Sequence, residues 1–233
     1  MGDTIYGDQM IRATDIKKSY GKKNNNYINV LQGISLEIHT GEYVAICGKS
    51  GSGKTTLLNI LSGLSLPSAG NVFYDDININ MLKSEEIASF RRNNIGFVFQ
   101  SFYLEPEYTV YQNAELPLLF SNSEKVRDEV IRQLEKAGLS EKQKVKAKYL
   151  SGGEQQRLCI ARALANHPNV IFADEPCGNL DSENTETIMK IFDDLHESGK
   201  TIIMVTHDLE SARRADRIIW LKDGKIVNEE DVL

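Results

Sequence analysis

Three cysteines in 233 residues, Cys47, Cys159 and Cys177, stand far apart with no CxxC pair and no Cys/His spacing of the zinc type. That scarcity leaves no basis for a disulfide framework or a structural metal, and it fits a reducing cytosol. The chain also lacks any run of about 18 predominantly apolar residues, the length a bilayer-crossing helix needs. Its longest uncharged stretch, residues 55–74, is broken by Asn, Ser, Gly and Pro. Residues 1–10 carry acids, without a basic or an apolar region, so they do not read as a secretory signal. Positive charge is in short supply, with 27 Lys and Arg against 33 Asp and Glu, a balance of −6. That sign argues against nucleic acid or an anionic membrane surface as a partner.

What is present is a chain with 41% hydrophobic and 26% charged residues, the proportions of a globular protein. A chain of this mass buries roughly 70% of its extended surface, so a large core needs no staples. No internal repeat appears, and no low-complexity linker is longer than residues 22–26. Periodicity predicts strands at 11–17, 34–38 and 43–47, then a helix over 54–61 where Leu57, Leu58, Ile60 and Leu61 recur at helical spacing. From about 101 to 164 the texture turns to charge and amphipathic helix, as in 124–137. Apolar runs at 170–173, 201–205 and 217–221 then read as buried strands, with a helix over 185–197 closed by Gly199. Such alternation predicts an α/β fold on a mostly parallel sheet.

The segment Gly48, Lys49, Ser50, Gly51, Ser52, Gly53, Lys54, Thr55 fits the phosphate-loop pattern GxxxxGK[ST] between a strand and a helix. Glycines there let the backbone approach phosphates, and the amides and helix N-terminus supply positive dipole. Lys54 would reach the outer phosphates, with Thr56 beside it, and the Thr55 hydroxyl would coordinate Mg²⁺. A second apolar strand ends in Asp174 and Glu175, the first suited to the Mg²⁺ shell and the second to polarising water. No base-reading NKxD motif accompanies the loop, which removes a GTPase reading.

Leu150, Ser151, Gly152, Gly153, Glu154, Gln155, Gln156, Arg157, followed by a helical pattern, resembles the signature motif of ATP-binding cassette (ABC) ATPases. Its companions fall in that family's order. Tyr20 resembles the adenine-stacking aromatic, Gln100 the glutamine loop, Asp181 in 178–181 the D-loop, and His207 the switch histidine. The resemblance runs from about residue 10 onward and is closest to the branch of macrolide and peptide exporters and lipoprotein-release machines.

The resemblance implies a P-loop NTPase (RecA-like) core with an N-terminal antiparallel β subdomain and an inserted α-helical subdomain. Residues 10–233 would form one ABC ATPase domain: 10–100 and 165–233 the β subdomain and nucleotide-binding core, 101–164 the helical part. Residues 1–9 would precede it as an extension. ATP and Mg²⁺ are the implied cofactors, with Glu175 and His207 catalytic and Thr55, Gln100 and Asp174 at the metal. Head-to-tail homodimerisation would let the Lys54 loop of one subunit and the Ser151 loop of the other enclose each ATP. A separate transmembrane permease subunit would hold the chain at the cytoplasmic face, with membrane association only through that partner. A regulatory ATPase driving a cell-wall-hydrolase or peptide-sensing complex without transport is the alternative.

The sequence also departs from the branch. Cys177 stands where a hydroxyl residue is usual and reads as a tolerated small side chain. Glu105 and Glu107 flank Pro106 near the implied docking groove, which leads to the expectation of a basic docking segment on the partner. Lys142, Lys144, Lys146 and Lys148 read as a solvated face.

Overall fold

The computed structural model describes residues 9–22, 25–120 and 126–231. Residues 1–8, the middle of the 22–26 run and the start of the helix expected at 124–137 lie outside the described residues. Two long strands open the chain, β1 (Gln9–Lys22) and β2 (Asn25–His39), paired antiparallel from Gln9 opposite His39 to Lys22 opposite Asn25. Both outrun the predicted 11–17 and 34–38. Apolar alternation marks only their inner halves, where Ile11, Ala13, Ile16, Ile34, Leu36 and Ile38 are buried; in the outer halves Tyr20, Tyr27 and Ile28 are exposed and the strands are held by pairing with each other.

The strand β3 (Tyr43–Cys47) leads through the glycine loop into α1 (Lys54–Leu61). Then β4 (Ala69–Tyr74) pairs with β1, and β5 (Ile77–Asn78) follows it, completing an antiparallel sheet in the order β2-β1-β4-β5. The helix α2 (Ser84–Asn94) runs into β6 (Ile95–Val98). Three helices fill the middle: α3 (Val110–Glu115), α4 (Val126–Lys136) and α5 (Gly152–Leu164). The chain ends with β7 (Val170–Asp174), α6 (Ser182–Glu197), β8 (Thr201–Val205), α7 (Leu209–Ala212), β9 (Arg217–Lys222) and β10 (Lys225–Val227).

The second sheet has the order β10-β9-β3-β8-β7-β6 and is parallel throughout except for the β9–β10 hairpin. Its central strands are apolar along their whole length because both faces are covered. Val44, Ile46, Val170, Phe172, Ile203 and Val205 turn to the face carrying α1 and the antiparallel sheet. Ile171, Ala173, Ile202 and Met204 turn to the opposite face, against Ile160 and Leu164 of α5 and Ile188, Met189 and Phe192 of α6. The middle helices have a separate core, in which Val110, Ala114, Val130, Leu134, Leu158 and Ala161 are buried together. Through α5 the two cores meet, since one helix contributes to both.

Candidate active site

The loop between β3 and α1 is shaped by close approach. A Cβ on Gly48 would lie 2.1 Å from the Leu221 carbonyl oxygen, so only glycine lets the loop settle against the end of β9. Gly53, at φ 104°, has the left-handed backbone that glycine adopts freely. A Cβ there would also strike Leu31 at 2.8 Å. The β9–β10 turn closes the loop from behind, with the Gly224 amide donating to the Ser52 carbonyl at 3.1 Å.

Within this cradle Lys54 is buried, and its Nζ donates to the carbonyls of Gly48 at 2.8 Å and Lys49 at 3.2 Å. The two carbonyls that hold this ammonium are neutral, so among the described residues no carboxylate pairs with it there. Ser50, Gly51, Gly53, Lys54, Thr55 and Thr56 line a cavity of about 410 Å³ with Gln100, Glu175 and Val30. Val30, near the middle of β2, carries no motif, and periodicity could not have marked it. The Ser52 hydroxyl is buried without a partner. A phosphate oxygen is the kind of acceptor such a loop lacks, so these residues fit a nucleotide triphosphate.

The carboxylates arrive from β7. In the sheet β7 is separated from β3 by β8, yet the Thr55 Oγ1 hydroxyl donates to Asp174 Oδ1 at 3.1 Å across that gap. Burial pushes the Asp174 carboxyl above its ordinary range, the Thr55 bond opposes this, and the neighbouring Glu175 charge adds to the rise. A divalent cation would relieve that penalty. Hydroxyl and carboxylate side by side are hard oxygen donors of the kind Mg²⁺ takes alongside phosphate and water.

Glu175 follows the strand end in a left-handed conformation, φ 46°, which a non-glycine residue adopts only at some cost. Its amide donates to the Val205 carbonyl at 2.9 Å, and the turn aims its carboxylate at His207, whose Nδ1 lies 2.9 Å from Oε1. The His207 ring is otherwise largely exposed. Cys177 is half buried beyond this turn, and burial pushes its thiol up to about 12, that of a small neutral side chain.

Three predicted elements stand apart from this cavity. Tyr20 is half exposed on β1, with the Lys18 ammonium 5.1 Å from its ring. Ser151 caps α5 reciprocally with Glu154 and, like Gly152, is exposed. Asp181 caps α6, accepting from the Asn184 amide at 2.8 Å. A Cβ on Gly153 would fall 1.9 Å from Asn184 Oδ1, so this glycine lets the start of α5 press against the first turn of α6. The Ser151 and Asp181 segments are therefore neighbours on one surface.

The charges expected at this surface engage one another. Glu107 does not stand free for a basic partner: Lys146 at 3.0 Å and Lys148 at 2.7 Å engage it, and these bonds hold its carboxyl down to about 2. Lys142 pairs with Glu154, so three of the four alternating lysines are in ion pairs, on a face that stays solvated as expected. The groove beside Gln100, about 650 Å³, is lined instead by Phe97, Phe99, Tyr103, Leu116, Arg92 and Arg162 among others. Sequence reading missed Arg162, which donates to the carbonyls of Tyr103 and, at 2.9 Å, Phe102.

A parallel sheet with a glycine loop feeding a helix, a buried lysine in that loop, and Thr55 bonded to a strand-end aspartate define a P-loop nucleoside triphosphatase. Residues 31–178 match the family model described as ABC transporter. The uncharacterized ABC transporter ATP-binding protein YvrO of Bacillus subtilis is 44% identical over 223 residues, covering 95% of this chain and 97% of the relative. The macrolide export ATP-binding/permease protein MacB of Bdellovibrio bacteriovorus is 45% identical over 221 residues, which span 95% of this chain but 34% of that longer one. A dimeric structure of a post-hydrolysis state of the ATP-binding cassette MJ0796, from Methanocaldococcus jannaschii, bound to ADP and Pi, superposes with a TM-score of 0.86 at 43% identity. It covers 94% of this chain and 97% of the other. The chain belongs to the ABC transporter family, and it is an ATPase that binds ATP with Mg²⁺ and yields ADP and phosphate.

Proposed function

We propose that the chain is the ATP-hydrolysing subunit of an exporter, working as a head-to-tail dimer on a separate transmembrane partner. The observation that carries this reading is the separation inside one chain. Lys54, Gln100 and Glu175 surround one cavity, while Ser151 and Gly152 open the exposed end of a helix elsewhere on the surface. A second copy related by a twofold axis would bring that helix end, with its free amides, onto the nucleotide of the first, making two equal sites. The dimeric MJ0796 cassette supports such an arrangement.

In the closed dimer Lys54 and the loop amides would offset phosphate charge, and Thr55 and Asp174 would hold Mg²⁺ with Gln100 nearby. Bound Mg²⁺ supplies charge neutralisation on the transferred phosphate. Glu175 would polarise the attacking water, His207 would orient it, and Tyr20 would stack on the base. Asp181 would lie at the contact between subunits. Closure then gates hydrolysis, because part of the electrostatic stabilisation arrives only with the second subunit.

Among the described residues no helix is long and apolar enough to cross a membrane. Attachment would come through a permease seated in the apolar groove beside Gln100, which would place the chain at the cytoplasmic face. Peptides, antibiotics and lipoproteins are the cargo classes this reading favours. Co-purification with the membrane protein expressed beside it, repeated with Phe99→Asp in the groove, tests the attachment. Loss of the partner in that variant is the expected result, and undiminished assembly would remove the groove from the reading.

A further inference from the structure

The lysine run before α5 is fixed in place by main-chain bonds. The Ala147 amide donates to the Tyr108 carbonyl at 2.9 Å and that of Lys148 to Pro106 at 3.2 Å, while Glu107 grips Lys146 and Lys148. Held so, the run presents Lys142 to the first turn of α5, where its Nζ meets Glu154 Oε1. The other oxygen of Glu154 accepts the Ser151 amide at 3.1 Å. The side chain is mostly shielded from solvent, with 18% exposed.

An acid in this place creates a conflict. A helix N-terminus attracts a carboxylate for the same reason that it attracts phosphate, so an unpaired Glu154 would compete with, and repel, an incoming anion. Lys142 cancels that charge and fixes the carboxylate on the Ser151 amide. Its hydrogen bond is the largest influence holding the Glu154 carboxyl below the usual range. We propose that Lys142 is a positioning residue of the composite site: it seats Glu154 and offsets its charge, so that the Ser151 end of α5 can accept the other subunit's nucleotide. This rests on the head-to-tail reading above.

The test uses the full chain in the Glu175→Gln background, with ATP and Mg²⁺, following dimer formation by size-exclusion chromatography with light scattering. Lys142→Met should raise the ATP needed for half-maximal dimerisation by about tenfold, the worth of a hydrogen bond to a charged group. Nucleotide affinity of the monomer should not change. The double variant Lys142→Met/Glu154→Gln should recover most of the loss, because the uncompensated charge is gone. High salt should shrink the Lys142→Met defect by screening. A Lys142→Met protein that dimerises like its parent overturns the proposal, as does a double variant no better than the single one. Ser151→Arg serves as the separate control: a dimer that survives it overturns the composite-site reading itself.

Discussion

The phosphate loop and the Ser151 end of α5 are both glycine-bearing helix N-termini, yet they are built in different ways. The first has an open rim over a buried base of Ser52, Gly53 and Lys54, its lysine secured by its own main chain and its glycines wedged against Leu221 and Leu31. The second is exposed at Ser151 and Gly152 and, beyond the wedge of Gly153 on Asn184, is set by charged side chains, through Glu154, Lys142 and the Glu107 cluster. A site that must hold a nucleotide alone is fixed by packing, whereas one that must meet another molecule is left open and fixed by charge. Packing resists salt and charge pairs do not, so the two ends should respond differently to the same solution.

Four variants break or sharpen that contrast. Glu175→Gln should lower turnover by about 10²-fold or more while a nucleotide-bound dimer accumulates; turnover like the parent's in a phosphate-release assay would reject the water-activating role. Lys54→Ala should weaken monomer ATP affinity about tenfold or more, the loss of a charged contact at the preset end, as titration calorimetry would show. Arg162→Ala frees the Phe102 and Tyr103 carbonyls and should cost about 1.5 to 3 kcal/mol in urea unfolding.

The smallest effect is expected from Glu107→Gln. The Lys148 and Lys146 bonds hold the native carboxyl down to about 2, below its ordinary 4.5, so its stabilising contribution is present above about pH 4.5 and fades as pH falls towards 2. Parent and variant should differ slightly at pH 5 in low salt and coincide near pH 2. Because the group is fully exposed, added salt should erase the difference.

The parallel sheet was legible because fully apolar runs such as 170–173 and 201–205 betray strands covered on both faces. The phosphate loop was equally plain, since its spacing is a geometric demand of the chemistry. The outer halves of β1 and β2 were hidden, because exposed strands held by mutual pairing leave no alternation of apolar and polar residues. The helix α6 begins at Ser182, three residues before the predicted start, where Asp181 read as a motif also serves as the cap. Arg162 escaped notice since its partners are carbonyls some sixty positions away. The alternating lysines were visible as charge, but their pairing with Glu107 and Glu154 depends on how the chain folds back.

The brace behind the phosphate loop has a consequence for the order in which the molecule matures. Gly48 to Thr55 leave the ribosome early, but the Leu221 carbonyl and the Gly224 amide that settle the loop come from the last strands. At common synthesis rates about ten to thirty seconds separate the two. Throughout that interval the nascent chain carries the phosphate-binding sequence without its finished shape. The loop that receives ATP therefore gains its finished shape only once β9 and the β9–β10 turn have been made, and nucleotide binding would report that the cassette has closed on itself.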